Sequence, residues 1–127
     1  MDLKELLAAY KPDARTGRII NTLENDRNIR LGLKGLLGSA KALISASVFE
    51  ESSGIHLFII PEKENAAYFY NDMENIFGEK SEDFSRKRIL FYPTSYKRPY
   101  EIEKIDNTNV LLRTEVMSRI ASTKRKT

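Results

Sequence analysis

The residues best suited to chemistry lie in a glycine-rich stretch, residues 31–42, which reads LGLKGLLGSAKA. A phosphate-binding loop reads G-x-x-x-x-G-K-[S/T] between a strand and a helix. Its backbone amides surround the phosphates, its lysine reaches the outer phosphates, and its hydroxyl holds Mg²⁺. Gly35 and Lys41 keep that register here, but Ala40 replaces the second glycine. Ala42 replaces the hydroxyl residue, so the stretch has the frame of such a loop without two of its working parts.

Both alanines remove a function from this loop. A methyl group at position 40 crowds the approach of the backbone to a phosphate, and a methyl group at position 42 cannot ligate a metal ion. No run of four apolar residues ends in an Asp-Glu pair, so the second Mg²⁺-holding element of an ATPase is also missing. The sequence predicts no catalytic residue, no metal ligand and no bound cofactor. It predicts a vestigial phosphate loop made of Gly35, Gly38, Ser39, Ala40, Lys41 and Ala42.

Length and composition favour one soluble domain over residues 1–127. A chain of this length buries about two-thirds of its unfolded surface, which is enough for one core. It is 41% hydrophobic and 31% charged, and it has no cysteine, which excludes disulfides, thiolate catalysis and a cysteine zinc site. No apolar run approaches the roughly 20 residues of a membrane span. We therefore expect a cytoplasmic protein without a membrane partner.

The charge is distributed unevenly along the chain. Residues 1–85 carry 10 basic and 14 acidic side chains, a balance of −4, whereas residues 86–127 carry 11 basic and 4 acidic side chains, a balance of +7. Such a basic region fits nucleic acid or an acidic protein, and it equally fits a solvated face with a basic tail. The candidate nucleic-acid-binding residues are Arg86, Lys87, Arg88, Lys97 and Arg98. His56, the only histidine, is interpreted as a strand-end residue without a serine or cysteine partner.

The apolar spacing predicts helices and strands in alternation after a helical arm. Helices are predicted near 2–10, 13–25, 39–50, 62–77 and, capped by Asp106 or Thr108, up to about Ser122; strands are predicted at 28–33, 56–60 and 88–92. Gly78 is the expected stop of the fourth helix. This order predicts an α/β fold, a three-layer α-β-α partial domain with a mostly parallel sheet. It comprises an arm (1–27), a βαβαβα core (28–122) and a basic tail (123–127), and we expect it to belong to a longer protein whose partner covers the sheet edge.

Several stretches together resemble the N-terminal domain of the bacterial transcription-repair coupling factors. They are the helical arm, the glycine turn with GLLGSAKAL (35–43), HLFIIPEKENAAYFYNDMENIFG (56–78), and FYPTSYKRPYEIEKIDNTNVLLRTEVMSRI (91–120). The resemblance covers nearly the whole chain. It implies a helicase-like partial domain, similar to excinuclease B, the damage-recognition component of the excision nuclease, but without ATPase activity.

The resemblance also implies partners. Such a module recruits excinuclease A, mainly through the adjacent domain, and restrains the motor of its parent protein. ATP and Mg²⁺ would bind only in that downstream DNA translocase, which also meets RNA polymerase and DNA. Tyr92, Tyr96 and Tyr100 match the region before the damage-probing hairpin of excinuclease B, but the segment is too short for that hairpin. Two alternatives remain open: a small nucleotide-binding enzyme in which Lys41 and the helix dipole compensate for the alanines, and a DNA-binding module that uses the basic C-terminal third.

Overall fold

All regular secondary structure is helical in the residues that the computed structural model describes, which are 3–79, 83–94 and 107–122. Its helices are α1 (Leu3–Tyr10), α2 (Ala14–Asn25), α3 (Ala40–Glu51), α4 (Lys63–Phe77) and α5 (Asn107–Ser122), with a 3₁₀ turn at Phe84–Arg86. Within these ranges no residue belongs to a strand. The five predicted helices are confirmed to within about one residue at the described ends, whereas the predicted three-layer fold with a parallel sheet is wrong.

The three predicted strands fail for a common reason. Segments 28–33, 56–60 and 88–92 connect helices and carry no regular secondary structure. An alternating or continuous apolar run reports how well side chains would fit a pleated surface, but a strand exists only beside a hydrogen-bonded partner. Here α1, α2 and α4 pack directly against α3. Helix-on-helix packing therefore forms the core. None of the three strands of the predicted βαβαβα order is present in the described residues.

Local capping signals account for several helix ends. The carboxylate of Asp13 accepts a hydrogen bond from the backbone N–H of Arg15 at 2.8 Å and so starts α2. Gly78 ends α4 in the left-handed conformation, with φ +66°, and this predicted stop is confirmed. Thr108 lies inside the first turn of α5 and does not cap it. Asp106, the other candidate cap, lies outside the described residues.

The core lies where α3 meets α1 and α4. Its buried members come from these three helices and are Leu7, Ala42, Leu43, Ala46, Met73 and Ile76, with Leu6, Tyr10, Phe69, Phe77 and Ile89 packed around them. Two alanines on one face of α3 keep that face narrow, which lets the neighbouring helices approach closely. The side chain of Phe49 continues the same stripe and meets the ring of Phe77 edge-on, with 5.5 Å between centroids.

The last helix is held by a polar contact rather than by the predicted apolar stripe. The helical spacing of its apolar residues predicts that Leu112, Val116, Met117 and Ile120 face inward. Leu112 and Val116 are half-buried, but Met117 and Ile120 are exposed. Arg119 is the buried residue instead, and its guanidinium donates to the backbone carbonyls of Phe84, Ser85 and Lys87. The side chain of Glu115 accepts a further bond from Arg119 at 2.6 Å. This arginine therefore fastens α5 to the 3₁₀ turn.

Candidate functional site

The vestigial loop leads into α3 through a tight turn at Gly38 and Ser39. Gly35 and Gly38 have φ of +82° and +53°, a region that favours glycine, as expected for residues that supply backbone freedom. The backbone N–H of Ala40 donates to the carbonyl of Leu37 at 3.1 Å, and that of Lys41 donates to the carbonyl of Gly38 at 3.4 Å. Two amides that would face a phosphate in a working loop are thus bonded to the loop itself.

At the start of α3 the side chains of Lys41 and Ala42 point in different directions. Ala42 stands where a phosphate-binding loop has its metal-ligating hydroxyl residue. Lys41 is exposed, and Ala40 is half-buried. Ala42 is only 1% exposed and belongs to the core with Leu7 and Met73. A hydroxyl at position 42 would enter this apolar core rather than meet a metal ion beside a nucleotide. The residues present therefore do not fit ATP with Mg²⁺ at this turn.

The basic cluster at 86–88 does not assemble into a cationic surface. The Lys87 ammonium is buried and forms an ion pair with the carboxylate of Glu74 on α4, with the Tyr70 hydroxyl 3.3 Å away. The Arg88 guanidinium bonds the carboxylate of Glu79 at 2.7 Å and lies 4.9 Å from the ring centroid of Phe77. Both side chains contact α4 or its end, which supply carboxylates and aromatic faces, but only Lys87 is buried, whereas the Arg88 side chain stays 38% exposed. Nucleic-acid binding by these residues stays a prediction.

The remaining members of the predicted basic patch are differently placed. Arg86 is exposed and forms an ion pair with Asp83 at 3.2 Å. Lys97 and Arg98 lie outside the described residues, as do Tyr96 and Tyr100. Tyr92 is half-exposed, with the guanidinium of Arg113 5.1 Å from its ring centroid. Among the described residues the structure therefore does not bring the candidate DNA-binding cations together.

Lys87 and Tyr70, which share the carboxylate of Glu74, both have shifted pKa values. Burial lowers the pKa of Lys87, but hydrogen bonds to Glu74 and Tyr70 outweigh it and leave that pKa raised. Burial, reinforced by the bond to Glu74, raises the pKa of Tyr70 to about 12. Both groups therefore keep their protons well above neutral pH, which preserves the ion pair and the hydrogen bonds of the triad.

His56 has a serine neighbour that the sequence interpretation missed. The Ser52 hydroxyl lies 3.3 Å from His56 Nε2, while the same hydroxyl donates to the carbonyl of Val48. A general base must accept the serine proton, but here the Ser52 hydroxyl donates to the carbonyl of Val48. The pair therefore closes the end of α3, where the ring of Phe49 also meets His56 edge-on with 5.3 Å between centroids.

Two groups of interacting residues were not predicted from the sequence: the triad of Lys87, Glu74 and Tyr70, and Arg119 with its carbonyl partners. Sequence spacing indicates only part of the triad. Tyr70 and Glu74 stand four residues apart on α4, a spacing that places them on one helix face. Their partner Lys87 and the clamp Arg119 act across loops, and nothing in local spacing indicates those contacts.

Within the described ranges no three His, Cys, Asp or Glu residues form a group that could hold a metal ion. No described helix combines the length and the apolarity that crossing a membrane requires.

Comparison of the chain with protein-family models, with curated proteins and with solved structures found no match.

Proposed function

We propose that this chain is a non-catalytic module of a transcription-repair coupling factor. In this role it contributes to the recruitment of excinuclease A to stalled RNA polymerase, and it restrains an ATP-dependent DNA translocase that lies elsewhere in the same protein. The proposal starts from the sequence resemblance, whose most specific parts are residues 35–43 and 100–116. It implies that the chain itself turns over no nucleotide.

One observation carries the non-catalytic part of this proposal. Ala42, at the position where a working loop presents its metal-binding hydroxyl, is packed into the core at 1% exposure. The backbone amides of Ala40 and Lys41 are bonded to the turn. A loop with these two properties supports the start of α3 and leaves no free amide at Ala40 or Lys41 for a phosphate.

Three measurements test the proposal. Calorimetric titration of the chain with Mg-ATP at millimolar concentration should release no binding heat, and Lys41→Ala should leave the titration unchanged. The reading frame that encodes this chain should continue into motor motifs and a polymerase-binding domain. In that complete protein, deletion of residues 3–122 should raise the basal ATPase rate. A reading frame without a motor, or a deletion that leaves the ATPase rate unchanged, would refute the role.

The two alternatives have less support from the geometry. A nucleotide-binding enzyme needs free loop amides, and those of Ala40 and Lys41 are occupied. A DNA-binding module needs exposed cations, and of the described residues in the predicted basic patch Lys87 is buried in an ion pair, whereas Arg86 is exposed. The second alternative predicts a DNA affinity that falls steeply with salt. A gel-shift titration at low salt that shows no shift would eliminate it.

A further inference from the structure

Two aliphatic segments remain uncovered in the described part of the chain. The first aliphatic run, residues 29–33, exposes Ile29, Leu31 and Leu33 to 40%, 44% and 50%. The second aliphatic run, residues 55–60, exposes Leu57 to 76% and Ile59 to 82%. Scattered apolar residues are ordinary on protein surfaces, but contiguous ones mark interaction sites.

The second aliphatic run has one face on the protein and one face away from it. Phe58 packs against Phe69 of α4, with 5.2 Å between ring centroids. Leu57 and Ile59, its neighbours in sequence, are more exposed than Phe58, which is itself 43% exposed. In both runs the residues adopt no helix and no strand. The exposed aliphatic side chains of both runs are therefore open to a partner.

The two aliphatic runs differ in the sign of the charges beside them. Residues 26–34, which contain the first run, hold the exposed cations Arg27, Arg30 and Lys34 after the exposed Asp26, a net charge of +2. The second run is followed by Glu62, Lys63 and Glu64 at the start of α4, all exposed and with a net charge of −1. One chain thus presents a basic aliphatic segment and an acidic one, which are complementary to each other.

We propose that these two runs form the interface of a homodimer. The first aliphatic run of one copy lies against the second aliphatic run of its partner, and a two-fold axis makes the same contact twice. Aliphatic side chains meet aliphatic side chains, while the cations of residues 27–34 face the carboxylates after residue 60. A second copy is the occupant because it supplies both the apolar surface and the opposite charges in one segment.

Sedimentation velocity of the intact chain, from micromolar to submillimolar concentration, tests this interface. With increasing concentration the mass should rise from 14.6 kDa toward twice that value, and this rise should be smaller at high salt. Leu57→Lys together with Ile59→Lys should leave a monomer at every concentration. Leu37→Lys provides the matched control, because Leu37 is 82% exposed but lies outside both runs, and it should dimerise like the parent chain.

Charge reversal distinguishes this pairing from nonspecific hydrophobic association. Arg30→Glu with Lys34→Glu, or Glu62→Lys with Glu64→Lys, should each weaken dimerisation by about tenfold or more. The four changes combined should restore it, and circular dichroism should show unchanged helix content. A chain that stays monomeric throughout overturns the proposal. So does association that the Leu57 and Ile59 changes leave intact, or that the combined reversal fails to restore.

Discussion

Removal of the Glu74 carboxylate should be among the most damaging polar substitutions in this protein. Its partner, the Lys87 side chain, is only 9% exposed and lies against the rings of Tyr70 and Phe84. Glu74→Gln leaves that ammonium buried without a counter-charge. Loss of one partner from a buried pair costs about 3–5 kcal/mol. We expect about 3 kcal/mol, because the Tyr70 hydroxyl still accepts a bond and the lysine stem can bend toward water.

Chemical denaturation followed by far-ultraviolet circular dichroism measures this loss. A change of about 3 kcal/mol lowers the folding equilibrium constant by roughly a hundredfold. Lys87→Met should cost less, about 1–2 kcal/mol, because Glu74 is 18% exposed and keeps the Tyr70 hydroxyl as donor. The double variant should be less destabilised than the sum of the two, with a coupling of about 1–3 kcal/mol.

A partly exposed ion pair provides the matched control. Lys11 bonds the carboxylates of Glu50 and Glu51 at 2.6 and 3.2 Å, and its side chain is 38% exposed. Lys11→Met should cost no more than about 1 kcal/mol. If Glu74→Gln costs as little as this control, or if the two triad substitutions add without coupling, then the Lys87 pair does not hold the loop to α4 and the reasoning is wrong.

Three further predictions follow from the same contacts. The raised pKa values of Tyr70 and Lys87 favour their protonated forms in the folded state, so their stability is complete below about pH 10 and is lost as pH rises toward the Tyr70 pKa of about 12. In an alkaline denaturation series, Tyr70→Phe should remove the part of this pH dependence of stability that belongs to Tyr70. Restoration of the loop by Ala40→Gly with Ala42→Thr should yield no ATP hydrolysis in a phosphate-release assay and should destabilise the fold by about 1–3 kcal/mol. Detectable turnover would contradict the scaffold interpretation. Arg119→Met should speed hydrogen exchange in α5 while leaving α1 to α4 protected, and uniform exchange across all helices would contradict its role as a local clamp.

The sequence was informative wherever local physics decides the structure. Spacing of apolar residues at helical intervals located the described helices, and Asp13 and Gly78 marked two of their ends. These signals act within one or two turns, so they can be interpreted without knowing the rest of the fold. The positive φ of Gly35 and Gly38 belongs to the same class of local effects.

The sequence misled wherever the outcome depends on a distant partner. Leu31 and Leu33 alternate as in a strand, but alternation does not supply the neighbouring backbone that a strand needs. Arg119 was not among the residues predicted to face inward, and its burial depends on carbonyls more than thirty residues earlier in the chain. Lys87 was interpreted as a surface cation because Glu74, its partner, lies across a loop. At the candidate site, the residue types alone indicated that the second glycine and the metal-binding hydroxyl are missing. The structure was needed to show that the side chain of Ala42 points into the core.

The setting of α3 about its own axis fixes Lys41 and Ala42 on different sides of the helix. Lys41 faces solvent and Ala42 faces the interior, and adjacent helical residues differ by about 100° in direction. Bringing position 42 round to the side of the lysine would rotate Ala46 and Phe49 out of the interior with it, since they share its stripe. Placing a metal ligand from position 42 beside Lys41 would thus require repacking the centre of the protein, which substitutions in the turn alone do not achieve.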